Sequence, residues 1–185
     1  MSTTETPNGL DLVIDFVNTL DVDVEEDELQ TPRDLDAWLA GRELTANGAA
    51  ASEADFRHAI ELREALRALM LANNSDHHDE QAAAQLERTA RKGELGVHFD
   101  HSGRAVNLAP AEQGVDGALA RLLVPVAQAM ADGSWARVKA CRADNCGWAF
   151  YDRSRNRSGV WCDMAVCGNR TKVRAYRERA PRGSR

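Results

Sequence analysis

The sequence predicts a mainly α-helical protein. An N-terminal helical domain carrying one short β-hairpin should precede a small C-terminal four-cysteine zinc-finger domain that ends in a helix. Three observations carry this expectation. Apolar residues recur at three- and four-residue intervals through most of the first 134 positions, as in helices with one buried face. Alternation with period two stands out in one stretch, Val97 and Phe99 before the His101-Ser102-Gly103 turn and Val106 and Leu108 after it. All four cysteines fall between positions 141 and 167, and everything upstream is cysteine-free. The expected division is therefore 1–134 and 135–185.

Residues 1–9 are polar and should fray. Leu12, Phe16 and Leu20, with Val13 and Val17 beside them, predict a first helix over 10–20, although the β-branched residues also permit a strand. Asp15, Asn18 and Thr19 share one region of that element. They suit a small-molecule pocket or, alternatively, capping and helix–helix hydrogen bonds. Asp21 to Glu28 places six carboxylates in eight positions, so repulsion favours an extended, solvated loop; the glycine and terminal glutamate of a calcium loop are missing.

Thr31-Pro32-Arg33-Asp34 is a helix start, with Thr as N-cap and Pro at the first helical position. Leu35, Trp38 and Leu39 then form a buried stripe that Gly41 can end. Ser52-Glu-Ala-Asp55 opens the clearest helix, whose apolar face is Phe56, Ala59, Ile60, Leu62, Leu66, Leu69 and Met70; Arg57, Glu61, Glu64 and Arg67 fall largely outside that face. Asn73 to Asp76 ends it and an Ala-rich helix resumes over Asp79 to Arg91. The tandem His77-His78 between them has no accompanying ligand cluster and reads as a solvated turn. His98 and His101 read as hairpin surface. Asp116 to Asp132 is the last helix of this part, with Leu119, Leu122, Leu123, Val126 and Met130 expected on its buried side, a kink at Pro125 and a stop at Gly133.

The cysteines form two pairs, Cys141-Arg-Ala-Asp-Asn-Cys146 and Cys162-Asp-Met-Ala-Val-Cys167, separated by fifteen residues. Two short loops that each supply two thiolates suit one structural Zn²⁺, which takes tetrahedral sulfur sites; four cysteines leave no open position for catalysis. Disulfides, a catalytic thiol and an iron–sulfur cluster are the competing uses. The first is disfavoured because Met1-Ser-Thr-Thr-Glu-Thr-Pro7 has no basic segment followed by an apolar one, so a reducing cytoplasm is expected. The last is disfavoured by spacing.

Around these cysteines, Phe150-Tyr151-Asp152, Ser154-Arg155-Asn156, Trp161-Cys162 and Cys167-Gly168-Asn169-Arg170-x-Lys172 resemble the signature of CGNR zinc-finger proteins, a bacterial family of stress-induced transcription regulators. The resemblance covers about residues 135 to 180. Leu12-Val-Ile-Asp15-Phe16-Val-Asn18-Thr19-Leu20 resembles the opening motif of the ABATE-type helical domain that precedes the finger in that family. One departure is Val160, where the resemblance leads us to expect another basic residue. The resemblance implies a zinc-supported, DNA-binding regulator.

The charge distribution points the same way. Residues 137–185 hold 13 Lys and Arg against 4 Asp and Glu, a surplus of +9, whereas the preceding 136 hold 10 against 25, or −15. A basic part suits a polyanion, while the acidic part keeps the chain soluble. A final helix from about Gly168 to Ala180 would dock Val173, Tyr176 and Ala180 inward and carry Arg170, Arg174 and Arg177 as a stripe, with Lys172 near, for a major groove. Arg153, Arg155 and Arg157 form a loop of donors suited to phosphates. Asn169 and Arg170 stand close enough to the cysteines to bond the zinc loops' backbone instead. Trp135, Trp148, Phe150, Tyr151 and Trp161 should pack around those loops and against the last helix of the preceding domain, with stacking of exposed rings on bases as the competing use. A sharper hypothesis for the acidic run is that it folds over the basic finger and competes with DNA.

The rival reading is a zinc-finger interaction module that docks an acidic protein partner without nucleic acid; RNA is a variant of the first. The N-terminal domain would take a small-molecule or protein effector, and a homodimer is compatible with one small finger. No apolar run is long enough for a membrane span. No nucleophile elbow, phosphate loop or HExxH motif is present, so an enzyme is not expected.

Overall fold

In the computed structural model, residues 9–45, 50–75 and 78–179 are described; they form six helices and three two-stranded antiparallel hairpins. The protein is mainly α-helical, as the hydrophobic periodicity predicts. Helix α1 (Leu10–Val17) buries Leu10, Val13, Phe16 and Val17. Helix α2 (Pro32–Gly41) begins with a reciprocal capping box between Thr31 and Asp34, and its Trp38 ring meets Phe16 with centroids 5.2 Å apart. Helix α3 (Glu53–Ala72) starts with the same device, Ser52 and Asp55. Asp79 caps α4 (Glu80–Lys92) by accepting the Ala82 N–H. Helix α5 (Gly114–Asp132) contains Pro125 and is closed by Gly133 at φ +77°, where a left-handed residue is needed.

The hairpins are β1 (Leu20–Asp21) with β2 (Glu26–Asp27), β3 (Leu95–Phe99) with β4 (Val106–Pro110), and β5 (Val138–Ala140) with β6 (Ala149–Tyr151). The second is the hairpin that the alternation predicts, with Val97 opposite Leu108 and Phe99 opposite Val106. One apolar cluster joins α1, α2, α3 and α5 and continues without a break into Trp135, Val138, Ala140 and Ala149. The first hairpin of the cysteine region is thus built into the core of the helical part.

Four expectations need correction. The first helix stops at Val17, and Leu20 enters β1 opposite Asp27. The acidic run is a tight hairpin rather than an extended loop. Its base is fixed by Arg63 of α3, 2 % exposed, which donates from both terminal nitrogens to the Asp27 carboxylate at 2.7 and 2.9 Å. Arg67 is buried rather than outside the apolar face, because its guanidinium finds three carbonyls there: Val17 at 2.7 Å, Leu20 at 3.3 Å and Gly147 at 2.7 Å. Met130 is 46 % exposed, because it lines an open apolar groove between α4 and α5 with Leu86, Leu95 and Val126 instead of being covered.

His98 and His101 are exposed, as expected of hairpin surface. His77 lies outside the described residues. Among the described residues no helix is long and apolar enough to cross a membrane.

Candidate metal centre and nucleic-acid interface

Each cysteine pair is delivered by backbone hydrogen bonding. The β5 ladder runs on into Cys141, whose N–H donates to Trp148 O at 2.9 Å, and the first loop closes when Cys146 N–H donates to Ala143 O at 3.0 Å. Gly147, at φ +63°, turns the chain back into β6 against the Arg67 side chain. The second loop docks on the first through Arg142 N–H to Val160 O at 3.0 Å. Asp163 then starts a π-helical turn, Met164–Gly168, by accepting the N–H groups of Ala165 at 2.6 Å and Val166 at 3.0 Å. This turn presents Cys167, so the last ligand sits just ahead of α6 (Asn169–Arg179) and not within it.

The four sulfurs lie within 4.8 Å of one another. Cys146 and Cys162 are 3.6 Å apart, and Cys162 and Cys167 3.7 Å. Zinc–sulfur bonds of ~2.3 Å in a tetrahedron place sulfurs roughly 3.8 Å apart. Disulfide sulfurs would be about 2 Å apart, so these thiols are free and spaced for a metal.

Burial pushes the Cys146 thiol up to about 12 and raises Cys162 as well. At Cys141 burial again opposes ionisation, but N–H groups of Ala143 and Cys162 directed at its sulfur outweigh it and hold the thiol below its ordinary value. Such a cluster needs a cation before all its members can be thiolates. Ala143, Trp148 and Trp161 pack around it. The donor set fits one structural zinc with its coordination closed.

The basic side chains expected to meet a polyanion fall in two groups. Arg153, Arg155 and Arg157 are exposed on the loop that follows β6. Arg170, Lys172, Arg174 and Arg177 are exposed on α6. Arg170 donates to both oxygens of Asp23, at the tip of the β1–β2 hairpin, at 2.5 and 2.9 Å, and Arg174 pairs with Asp144 of the first cysteine loop. The hydrogen bond from Arg170 holds the Asp23 carboxyl below its usual range. The knuckle backbone is bonded by Asn169, which donates to Ala165 O at 3.0 Å, while Arg170 turns to Asp23 instead. Val173 does not dock inward: it is 49 % exposed, while its neighbour Arg174 is the residue that reaches the first cysteine loop. The side chains of Tyr176, Ala180, Arg182 and Arg185 lie outside the described ones.

Asp15, Asn18 and Thr19 have separate surroundings. Asp15 is exposed. Asn18 donates to Ala149 O at 3.0 Å and accepts its N–H at 2.7 Å, which ties α1 to β6. Thr19 is 2 % exposed, donating to Phe16 O and accepting from Arg63.

Several residues that shape the site escaped sequence reasoning. Asn73 donates to Trp135 O at 2.9 Å and Val138 O at 2.8 Å, and Asn74 to Ala140 O at 2.9 Å, so the end of α3 clamps β5. Lys139 and Asp152 form an ion pair at 2.8 Å with side chains 3 % exposed each. Arg63 had a legible signal: an arginine beside the apolar residue Leu62 in a helix, in a chain that places six carboxylates in eight positions.

The protein is thus a helical body whose core extends into a four-cysteine finger spaced for one metal ion. Residues 10–133 match the ABATE family, described as "Putative stress-induced transcription regulator", and residues 137–180 match the CGNR zinc finger. The chain belongs to the ABATE family and carries a C-terminal CGNR zinc finger. No curated protein matches it.

Proposed function

We propose that this chain is a DNA-binding transcription regulator. Residues 135–185 form the zinc-supported reader, and residues 1–134 form the part that responds to a protein or small-molecule effector. Cys141, Cys146, Cys162 and Cys167 hold the metal in this reading; Arg170, Lys172, Arg174 and Arg177 of α6 enter a groove, and Arg153, Arg155 and Arg157 contact phosphates. The observation that carries it is the set of seven exposed cations on the two segments flanking one closed metal centre. Exposed arginines on a helix and a neighbouring loop are the usual means of reading bases and holding the backbone at once.

Fluorescence anisotropy of the zinc-loaded protein on a random-sequence duplex, across a salt series, tests the proposal. The affinity should fall log-linearly with salt, with a slope of about −0.9 for each phosphate neutralised. An equal slope on duplex RNA would redirect the reading to RNA.

A second reading has an observation in its favour. Arg170 and Arg174 already pair with carboxylates, so the same surface suits an acidic protein segment. Absence of duplex binding even at low salt would select it.

A further inference from the structure

We propose that Lys139 and Asp152 are positioning residues that preform the loop of residues 153–158 for contact with a polyanion. The inference rests on the DNA reading and names the device that would make this loop a rigid phosphate-facing element.

Lys139 lies in the middle of β5 and is 2 % exposed. Its ammonium donates to Asp152 Oδ2 at 2.8 Å, Arg157 O at 2.6 Å and Gly159 O at 2.9 Å, which uses all three protons. Asp152, 3 % exposed, accepts the Ser154 N–H on Oδ1 and the Gly159 N–H on Oδ2, both at 2.9 Å. Gly159 has no room for a side chain, since a Cβ there would stand 2.7 Å from Asp152 Oδ1. Arg137 adds bonds to Asp152 O at 3.0 Å and Ser154 O at 2.9 Å, and Ser154 Oγ accepts the Ser158 N–H at 3.0 Å. The loop's backbone is therefore bonded inward at both ends, while the side chains of Arg153, Arg155 and Arg157 remain exposed.

A buried ion pair is an expensive way to join two strands, because desolvating both charges offsets their attraction, and an apolar pair would hold β5 to β6 as well. What an apolar pair cannot do is bond the carbonyls of residues 157 and 159 and the amides of 154 and 159. The pair's particular contribution is thus loop order. Order set before binding lowers the entropic cost of fixing three long side chains on phosphates.

The test is a mutant cycle on the full, zinc-loaded chain, read by duplex anisotropy with zinc content measured in parallel. One arm carries Lys139→Met with Asp152→Leu, a second carries Arg153→Ala, Arg155→Ala and Arg157→Ala, and a third carries all five. Loss of positioning should cost the paired variant about tenfold in affinity with one zinc retained, and the five-fold variant should bind within about twofold of the arginine triple. Wild-type affinity in the paired variant overturns the proposal. So does an additive loss in the combined variant, which would place the pair's effect elsewhere in the finger.

Should the paired variant lose zinc, Asp152→Asn, which keeps the shape and removes the charge, takes its place in the same cycle with the same criteria. A wild-type protein that binds no duplex at any salt ends the DNA reading itself, and this inference with it. Duplex binding that is unchanged across the cycle ends only the inference.

Discussion

Arg67 is buried through hydrogen bonding rather than apolarity. It draws three carbonyls from two separate parts of the chain, Val17 and Leu20 near the start and Gly147 just past the second cysteine. Its nearest carboxylate is Glu64, whose Oε2 accepts from Arg67 Nε at 3.1 Å. Replacing Arg67 by Met keeps most of the buried hydrocarbon and removes every donor. The stranded carbonyls should cost about 2–4 kcal/mol, read as a lowered urea midpoint at unchanged slope. A loss below about 0.5 kcal/mol would mean that water replaces the guanidinium, and the account of its burial would fall. The same residue marks what a sequence can tell at this scale. The four metal ligands were legible because their chemistry is carried by spacing alone. Arg67 was not, because its partners are backbone oxygens 47 to 80 residues away, which no side-chain pattern encodes.

At the scale of elements, the caps at Thr31 and Ser52 and the β3–β4 hairpin were all legible, since each is set by residues a few positions apart. The acidic hairpin was misread because its shape depends on Arg63, 36 residues beyond Asp27. Once Arg63 neutralises Asp27, the remaining carboxylates project from a closed turn, and Asp23 reaches Arg170 across 147 positions of sequence. That contact fits the idea of a built-in competitor for DNA. Exposed ion pairs are worth roughly 0–1 kcal/mol each, so the competition should be modest and sensitive to salt. Neutralising Asp23, Glu25, Glu26 and Glu28 to their amides, with Asp27 left to hold Arg63, should tighten duplex binding about two- to fivefold at low salt. The gain should vanish as the salt concentration rises. Unchanged affinity at low salt would make the hairpin a bystander.

The whole molecule combines a large apolar core with a finger whose own apolar cluster is small. The cysteine loops contribute little apolar surface of their own: the second cluster comprises four small or sulfur-bearing residues, with Trp148, Trp161 and Cys162 leaning on it. Segments of this size rarely fold without a staple. Yet β5 and β6 are anchored from the other side, by Val138, Ala140 and Ala149 in the main core and by Asn18, Asn73 and Asn74 on their backbone. Removing zinc should therefore melt the molecule in part. Chelation should red-shift the emission of Trp148 and Trp161 and abolish duplex binding. The far-UV helical signal should fall only by the share of the 5-residue π turn and the 11-residue α6. Restoring one equivalent of zinc should reverse all three changes. A single transition that also takes the helical signal of α1 to α5 would mean that the shared core makes body and finger one cooperative unit. An unchanged spectrum after complete chelation would show that the thiols, although spaced for a metal, do not depend on one.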